Sequence, residues 1–511
     1  MMRNGKNNPQ SRRGGSGLYF LLLLTILVLG LLLYLWMLPT SPVEDQPGQP
    51  STPTVTQAGA TPVPASVAFP GAEGFGASTP GGRYGQIVFV TNLNDTTDVR
   101  SPQYPGSLRW AVEHSLPIDT SNPYSQRRTI IFRVGGIIPL VDSLTLKQPY
   151  VTIAGQTAPG DGITLKGGEM VIATHDVIIR GIRIRVGDQG EPTCCLDGIN
   201  ISTSHAESDV YNIIIDHSSV SWAIDENLST VVDEDKPFGV RDITIQWSII
   251  SEGLHDSIHL DEGATETDPH SMGAILGVGG ENMTLHHNIF ANNWARNPRI
   301  SGVRNVEVIN NVIHGWGNAA METSKDLNVA HILNNYFQAS EDSREYEIVL
   351  SDNTGPESQF FINGNITLDM RIGNELMDAR VKMPDQYTLA DQLLFTSSKV
   401  KTETARKAFT SVLNFAGVIF PVRDAVDMRV IKNIKNQEGQ IIDSQDEVGA
   451  WPDYQGGEYP VDHDNDGIPS AWEVEHGLNP DFAGDANTPT SLSPDGYSWI
   501  EAYINSLIPS R

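Results

Sequence analysis

Four asparagines, Asn288, Asn311, Asn335 and Asn365, stand at the same point after successive short apolar strands, separated by roughly one coil of a solenoid. A unit of that size cannot bury its apolar face alone, so successive units must stack. In a parallel β-helix, residues in such a register lie one above another. Each side-chain amide then bonds to the coils on either side and satisfies polar groups inside tight turns. Short apolar strands are read at 129–132, 151–153, 177–179, 213–215, 243–245, 283–285, 306–308 and 360–362. They are too short for helices and recur too often for a single α/β sheet. The expected fold class is all-β, a right-handed parallel β-helix. Longer excursions are read at 187–212, 226–242 and 252–282. Insertions on a solenoid commonly gather on one face and build a binding groove.

Around that solenoid the chain divides by composition. Arg3, Lys6, Arg12 and Arg13 precede an apolar run from Leu18 to Leu38, and no acidic residue appears before Glu44. At about 1.5 Å per residue the run spans a hydrocarbon core of about 30 Å. The expected organisation is a basic cytoplasmic tail (1–16), a transmembrane signal anchor (17–38), a Pro/Thr-rich linker (39–67), the β-helix (68–370), a helical and irregular extension (371–450) and a calcium-loop segment (451–511). The positive-inside rule places the folded part outside a cell membrane, on a single-pass anchor. Secretion after signal cleavage is the alternative, although Trp36, Met37, Leu38 and Pro39 offer no small-residue cleavage site. Amphipathic helices are expected at 107–114, with Leu108, Ala111 and Val112 on one face, and at 402–415, packing on the outside or end of the solenoid.

The net charge of −28 argues against nucleic acid, because phosphate contact needs a surplus of Lys and Arg. It also hints at bound calcium. The two cysteines, Cys194 and Cys195, are adjacent, and a vicinal pair reaches a disulfide only with backbone distortion, so buried free thiols are expected. A monomer is the expected state.

Two stretches carry chemistry. The first runs from His286, His287 and Asn288 into Trp294, Ala295, Arg296, Asn297, Pro298 and Arg299. Two guanidiniums on a proline-stiffened loop suit an anionic ligand, since the planar fork of Arg matches a carboxylate. The second holds Asp462, Asp464, Asp466, Gly467, Ile468 and Glu473. Acids at positions one, three and five, Gly at six and Glu at twelve match the EF-hand calcium loop, to which Ile468 contributes its carbonyl. With no evident entering helix, a structural calcium clip is expected rather than a sensor.

With these features together, the chain from about Ala68 to Gly449 resembles the pectate lyases of polysaccharide lyase family one. His286, His287 and Asn288 leading to Arg296 and Pro298 are similar to the family's His-His-Asn to Arg-x-Pro stretch, and Asp216 and His217 to its Asp-His motif. The C-terminal acidic loop resembles the calcium segment of secreted bacterial members. The resemblance implies calcium-dependent β-elimination of α-1,4-linked polygalacturonate, with Ca²⁺ held by Asp197, Asp225 and Glu226 and Arg296 as base. The family's glutamate position falls on Ser221. Its second arginine falls on Ser301, so Arg299 or Arg304 would supply that substrate-binding cation, and His270 lies near another. Arg180, Arg183 and Arg185 face either the groove or solvent. Two other readings stay open: a β-helical glycoside hydrolase using paired carboxylates, and a non-catalytic polysaccharide binder.

Overall fold

Three parallel sheets of short strands wind into a β-helix. The computed structural model describes residues 67–509 except 262–263, 326, 386 and 493–495. The first sheet has ten strands, running from Gln86–Val90 through Val210–Asp216, Val240–Gln246 and Glu281–His286 to Gln359–Asn363. The second has ten strands and the third nine, and one coil contributes one strand to each.

Parallel pairing stacks like on like. Val151, Val177, Ile213, Ile243, Met283, Val306, Ala330 and Phe360 occupy one register position on consecutive coils, all buried. This aliphatic column fills the interior. The asparagine register forms a second column beside it. The amide N–H of Asn288 donates to Asn311 Oδ1 (2.9 Å), that of Asn311 to Asn335 Oδ1 (2.9 Å) and that of Asn335 to Asn365 Oδ1 (2.9 Å). Each Nδ2 also donates to a backbone carbonyl, of Ile245, Leu285, Val308 and Ile332 in turn. Ser248 and Ser218 extend the ladder upstream with smaller side chains.

The outer faces are covered as well, which is why many strands read as continuous apolar runs. Helices Ala405–Phe415 and Ala425–Asn436 lie over the second sheet, burying Ile249, Ile289, Val312 and Tyr336 against Val412, Leu413, Val430 and Ile434. The C-terminal segment, with helices Ser470–His476 and Trp499–Leu507, packs Ile468, Ile500 and Ile504 on Ile131 and Ala154 of the first sheet. The helix expected at 107–114 is Leu108–Glu113, capped by the Ser107 hydroxyl.

Four expectations need correction. The excursions at 187–212, 226–242 and 252–282 are not wholly insertions, because each holds a third-sheet strand, Ile199–Ser202, Glu226–Val231 and Met272–Leu276 in turn. Those strands are rich in Ser, Thr and Asn or interrupted by Gly, so they lack an apolar signature. Arg180, Arg183 and Arg185 face neither groove nor solvent: all are buried, Arg180 on Asp216 (2.9 Å) and Arg185 on Asp424 (2.7 Å) and Asp427 (2.9 Å). Cys194 and Cys195 are a vicinal disulfide in a solvent-facing loop, not buried thiols, and the Cys195 backbone is left-handed (φ 64°). Finally, the cell-membrane location is withdrawn. Among the described residues no helix is long and apolar enough to cross a membrane, and the segment 17–38 lies outside them.

Candidate active site

The N-terminal ends of five neighbouring third-sheet strands converge on one acidic and basic cluster. In spatial order these are Ile199–Ser202, Glu226–Val231, Met272–Leu276, Arg299–Ser301 and Met321–Ser324. Asp197 precedes the first, Asp225 and Glu226 open the second, His270 precedes the third, Arg296 and Arg299 flank the entry to the fourth, and Glu322 lies on the fifth. Residues spread over more than a hundred positions are thus brought to one edge by coil stacking alone.

Carboxylate oxygens of Asp197, Asp225 and Glu226 lie within 4.8 Å of one another. Asp197 is buried and accepts hydrogen bonds from the Glu226 amide (3.0 Å) and the Ser229 hydroxyl. Burial, reinforced by the charge of Asp225, pushes its carboxyl well above the usual range. Three convergent acids, one of them disfavoured as a bare anion, are a donor set suited to a hard divalent cation such as calcium.

Arg296 sits directly against this group, its guanidinium in contact with the Glu226 carboxylate. Its backbone is left-handed (φ 59°), unusual for a residue with a side chain, and two features hold it there. The Arg296 carbonyl accepts from the Ala274 amide, and a second asparagine ladder runs beneath it from Asn227 to Asn293 (3.0 Å) and on to Asn297 (2.9 Å). Gly273 makes room for this loop, since a Cβ there would come 2.7 Å from the Arg296 carbonyl oxygen. Burial, together with the neighbouring Arg299 charge, pushes the Arg296 guanidinium down to about 10, against the opposing pull of Asp225, Glu322 and Asp197.

Arg299 is paired with Glu322 (2.7 Å), a partner that sequence reasoning missed because it lies one coil away in register. His270 Nε2 is 2.8 Å from Asp225 Oδ1, and His259 and Asp268 pack behind it. Burial disfavours the charged imidazole, yet the Asp225 hydrogen bond and charge, together with the charges of Asp268 and Asp261, outweigh it and raise the His270 pKa. Arg304 is not brought into the cluster; it begins the next first-sheet strand, exposed and opposite Glu281. Ser221 is buried beneath the helical cover, accepting from Arg185 (2.7 Å).

The C-terminal loop is a separate cluster. Oxygens of Asp462, Asp464 and Asp466 converge, and Asp466, Glu473 and Asp485 form an overlapping group. Both oxygens of Asp464, both of Glu473, Asp466 Oδ2 and Asp485 Oδ1 are buried without a hydrogen-bond partner, and Glu473 is 0% exposed. Burial, compounded by mutual repulsion, pushes Asp466 and Glu473 up to about 7. So many orphaned buried carboxylate oxygens fit a calcium ion and little else. Asp485, beyond the twelve-residue motif, was not legible as a donor. Arg133 fixes the loop to the solenoid through Asp462 and Asn465. Calcium should therefore raise the melting temperature of chelator-treated protein, and Glu473→Gln should remove most of that rise in a calcium titration by calorimetry. An equal rise in the variant would place the stabilising ion elsewhere.

No family model matches the chain. It is 33% identical over 463 residues to a probable pectate lyase C of Emericella nidulans, covering 87% of this chain and 94% of that one. It is 34% identical over 469 residues to a probable pectate lyase C of Aspergillus terreus, covering 88% and 96%. Among solved structures, the major allergen from cedar pollen superposes with a TM-score of 0.47 at 20% identity, covering 68% of this chain and 93% of the allergen. Identity of this extent with the curated relatives makes the chain a lyase enzyme. It belongs to the pectate lyase family, which sets aside the glycoside hydrolase and the non-catalytic binder. The two relatives quoted are fungal, whereas the C-terminal loop had suggested bacterial ones.

Proposed function

We propose that the protein cleaves α-1,4-linked polygalacturonate by β-elimination that depends on calcium, with Arg296 as the base. The observation that carries this reading is the placement of Arg296: held in a fixed left-handed turn, mostly buried, and set against three convergent carboxylates with Arg299 beside it. The pectate lyase relatives supply the substrate class.

Calcium bound by Asp197, Asp225 and Glu226 would neutralise a uronate carboxylate and stabilise the enolate-like charge that develops beside it. Arg296 in its uncharged form takes the proton from C5, the electron pair of that C–H bond forms the C4–C5 double bond, and the C4–O bond breaks, its oxygen taking a proton from water. Arg299, held by Glu322, clamps a neighbouring carboxylate, and His270 adds a second cation anchored on Asp225. The C-terminal loop, through Asp462, Asp464, Asp466, the Ile468 carbonyl and Glu473, holds a second, structural calcium ion.

Digestion of polygalacturonate tests the reaction type. Elimination yields a conjugated product that absorbs in the ultraviolet, and chelator should abolish its appearance. New reducing ends without absorbance would mean hydrolysis, and turnover unaffected by chelator would remove calcium from the mechanism.

A further inference from the structure

Behind the acidic cluster lies a second donor set of different chemistry. One carboxylate oxygen of Asp225 and one ring nitrogen each of His259 and His270 lie within 4.8 Å of one another. His259 is 1% exposed, and its Nδ1 is held by Asp268 Oδ1 at 2.8 Å, which leaves Nε2 as its ligating atom. The other Asp268 oxygen lies 3.7 Å from His270 Nδ1, so one carboxylate stands on the Nδ1 side of both rings. The rings stack at 3.9 Å with 23° between their planes, so one ring must turn for both to meet a single ion, and His270 Nε2 is directed at Asp225 (2.8 Å).

The backbone builds this arrangement rather than leaving it to a loose loop. The Thr193 amide donates to the Ile258 carbonyl (3.0 Å) and the Leu260 amide to the Thr193 carbonyl (3.1 Å), pinning His259 to the segment that leads into Asp197. The His270 amide donates to the His255 carbonyl (2.8 Å) and the Asp268 amide to the His259 carbonyl (3.2 Å), which closes the loop on itself.

Two imidazoles and one carboxylate do not suit calcium, which takes six to eight oxygens. They suit a borderline-soft ion that accepts nitrogen donors in a four- or five-coordinate shell with an open position. A carboxylate bonded to the distal nitrogen of a ligating histidine is the usual outer support of such sites, fixing the tautomer and the ring orientation. We propose that Asp225, His259 and His270, oriented by Asp268, form a binding site for a divalent transition-metal ion of the zinc or cobalt type, adjoining the oxygen-donor cluster. The proposal does not rest on the lyase mechanism, although the site shares Asp225 and His270 with it. Occupancy engages both residues, so zinc acts as an inhibitor at fixed calcium.

Cobalt(II) is the probe, added to the untagged full chain in excess calcium and followed by visible absorption. The expected result is a saturable band of nitrogen-ligated, four- or five-coordinate cobalt, displaced by Zn²⁺ and weakened at least tenfold in affinity in His259→Gln. Asp268→Asn should weaken it by about 10–100-fold, the usual effect of removing an outer-shell partner. Absence of the band, or equal affinity in His259→Gln, overturns the site. Should His259→Gln fail to fold, proton resonance of the cobalt-bound wild type decides: shifted exchangeable ring protons from two histidines support the site and none refutes it. Calcium-dependent elimination is measured separately, so failure of the cobalt experiment leaves that reading standing.

Discussion

Arg296→Ala should lower kcat on polygalacturonate by about 10²–10⁴-fold, the usual contribution of a positioned general base, with kcat/KM falling in parallel. The parallel fall is the informative part. An arginine that merely bound the substrate carboxylate would show its loss mainly in KM, as expected instead for Arg299→Ala. Arg296→Lys should not rescue activity, because the ammonium is a compact point charge on a flexible stem and cannot reproduce the planar fork set against Glu226. Retention of activity within tenfold of wild type in Arg296→Ala would move the base elsewhere, His270 and the acidic cluster being the nearest titratable groups.

Asp424→Asn should be the most damaging single change to stability outside the solenoid core, costing about 3–5 kcal/mol in denaturant unfolding. Asp424 begins the helix Ala425–Asn436 and bonds Arg185 through both oxygens (3.0 and 2.7 Å), with Arg183 at 3.5 Å and the Asp427 amide at 2.8 Å. Arg183 and Arg185 are each 0% exposed. Removing the carboxylate strands buried charge, which water cannot reach to compensate. Burial alone would raise the Asp424 pKa, but the Arg185 and Arg183 charges bring it to about 2. A carboxyl depressed on folding stabilises above its unfolded value, about 4, and that contribution is lost as pH falls toward about 2. The wild type should therefore lose stability across that window, and Asp424→Asn should flatten this part of the dependence. A loss below about 1 kcal/mol would show that the cover over the second sheet is held by apolar contacts alone.

What could be read from the sequence, and what could not, follows the physics of the three sheets. All eight strands read from sequence lie in the first sheet, whose strands run up to seven residues and carry consecutive Ile and Val. Strands of the other sheets, such as Ser219–Ser221 and Arg299–Ser301, are too short and polar to show a period. The asparagine ladder was legible because one residue type recurs at one register position; the Asn227–Asn293–Asn297 ladder was not, because its spacing follows loops of unequal length. The same reason explains the site. Asp197, Asp225, Glu226, His270, Arg296 and Arg299 could be named from local motifs and family resemblance. Glu322, Ser229, His259 and Asp268 become visible only once the coils are stacked.

The burial of Arg183 and Arg185 has the same cause. Nothing in strand Ile182–Arg185 announces that Asp424 and Asp427, some 240 positions later, will fold over it. An alternating Ile-Arg-Ile-Arg pattern ordinarily marks one solvated face. Here a helix bearing two aspartates covers that face, and the arginines become the floor of an ion-pair network.

Arginine as a base can be tested most directly by the dependence of kcat/KM on pH at saturating calcium, followed by ultraviolet absorbance from pH 6 to 11. A guanidinium pushed down to about 10 is almost wholly charged at neutrality, so kcat/KM should rise about tenfold per pH unit and level off near or below pH 10. Below saturation the limb should move to lower pH as calcium is raised, because the ion neutralises Asp225 and Asp197, whose charges hold the Arg296 pKa up. A bell-shaped profile centred below neutrality would contradict Arg296 as the base and point to a carboxylate or His270 in its place.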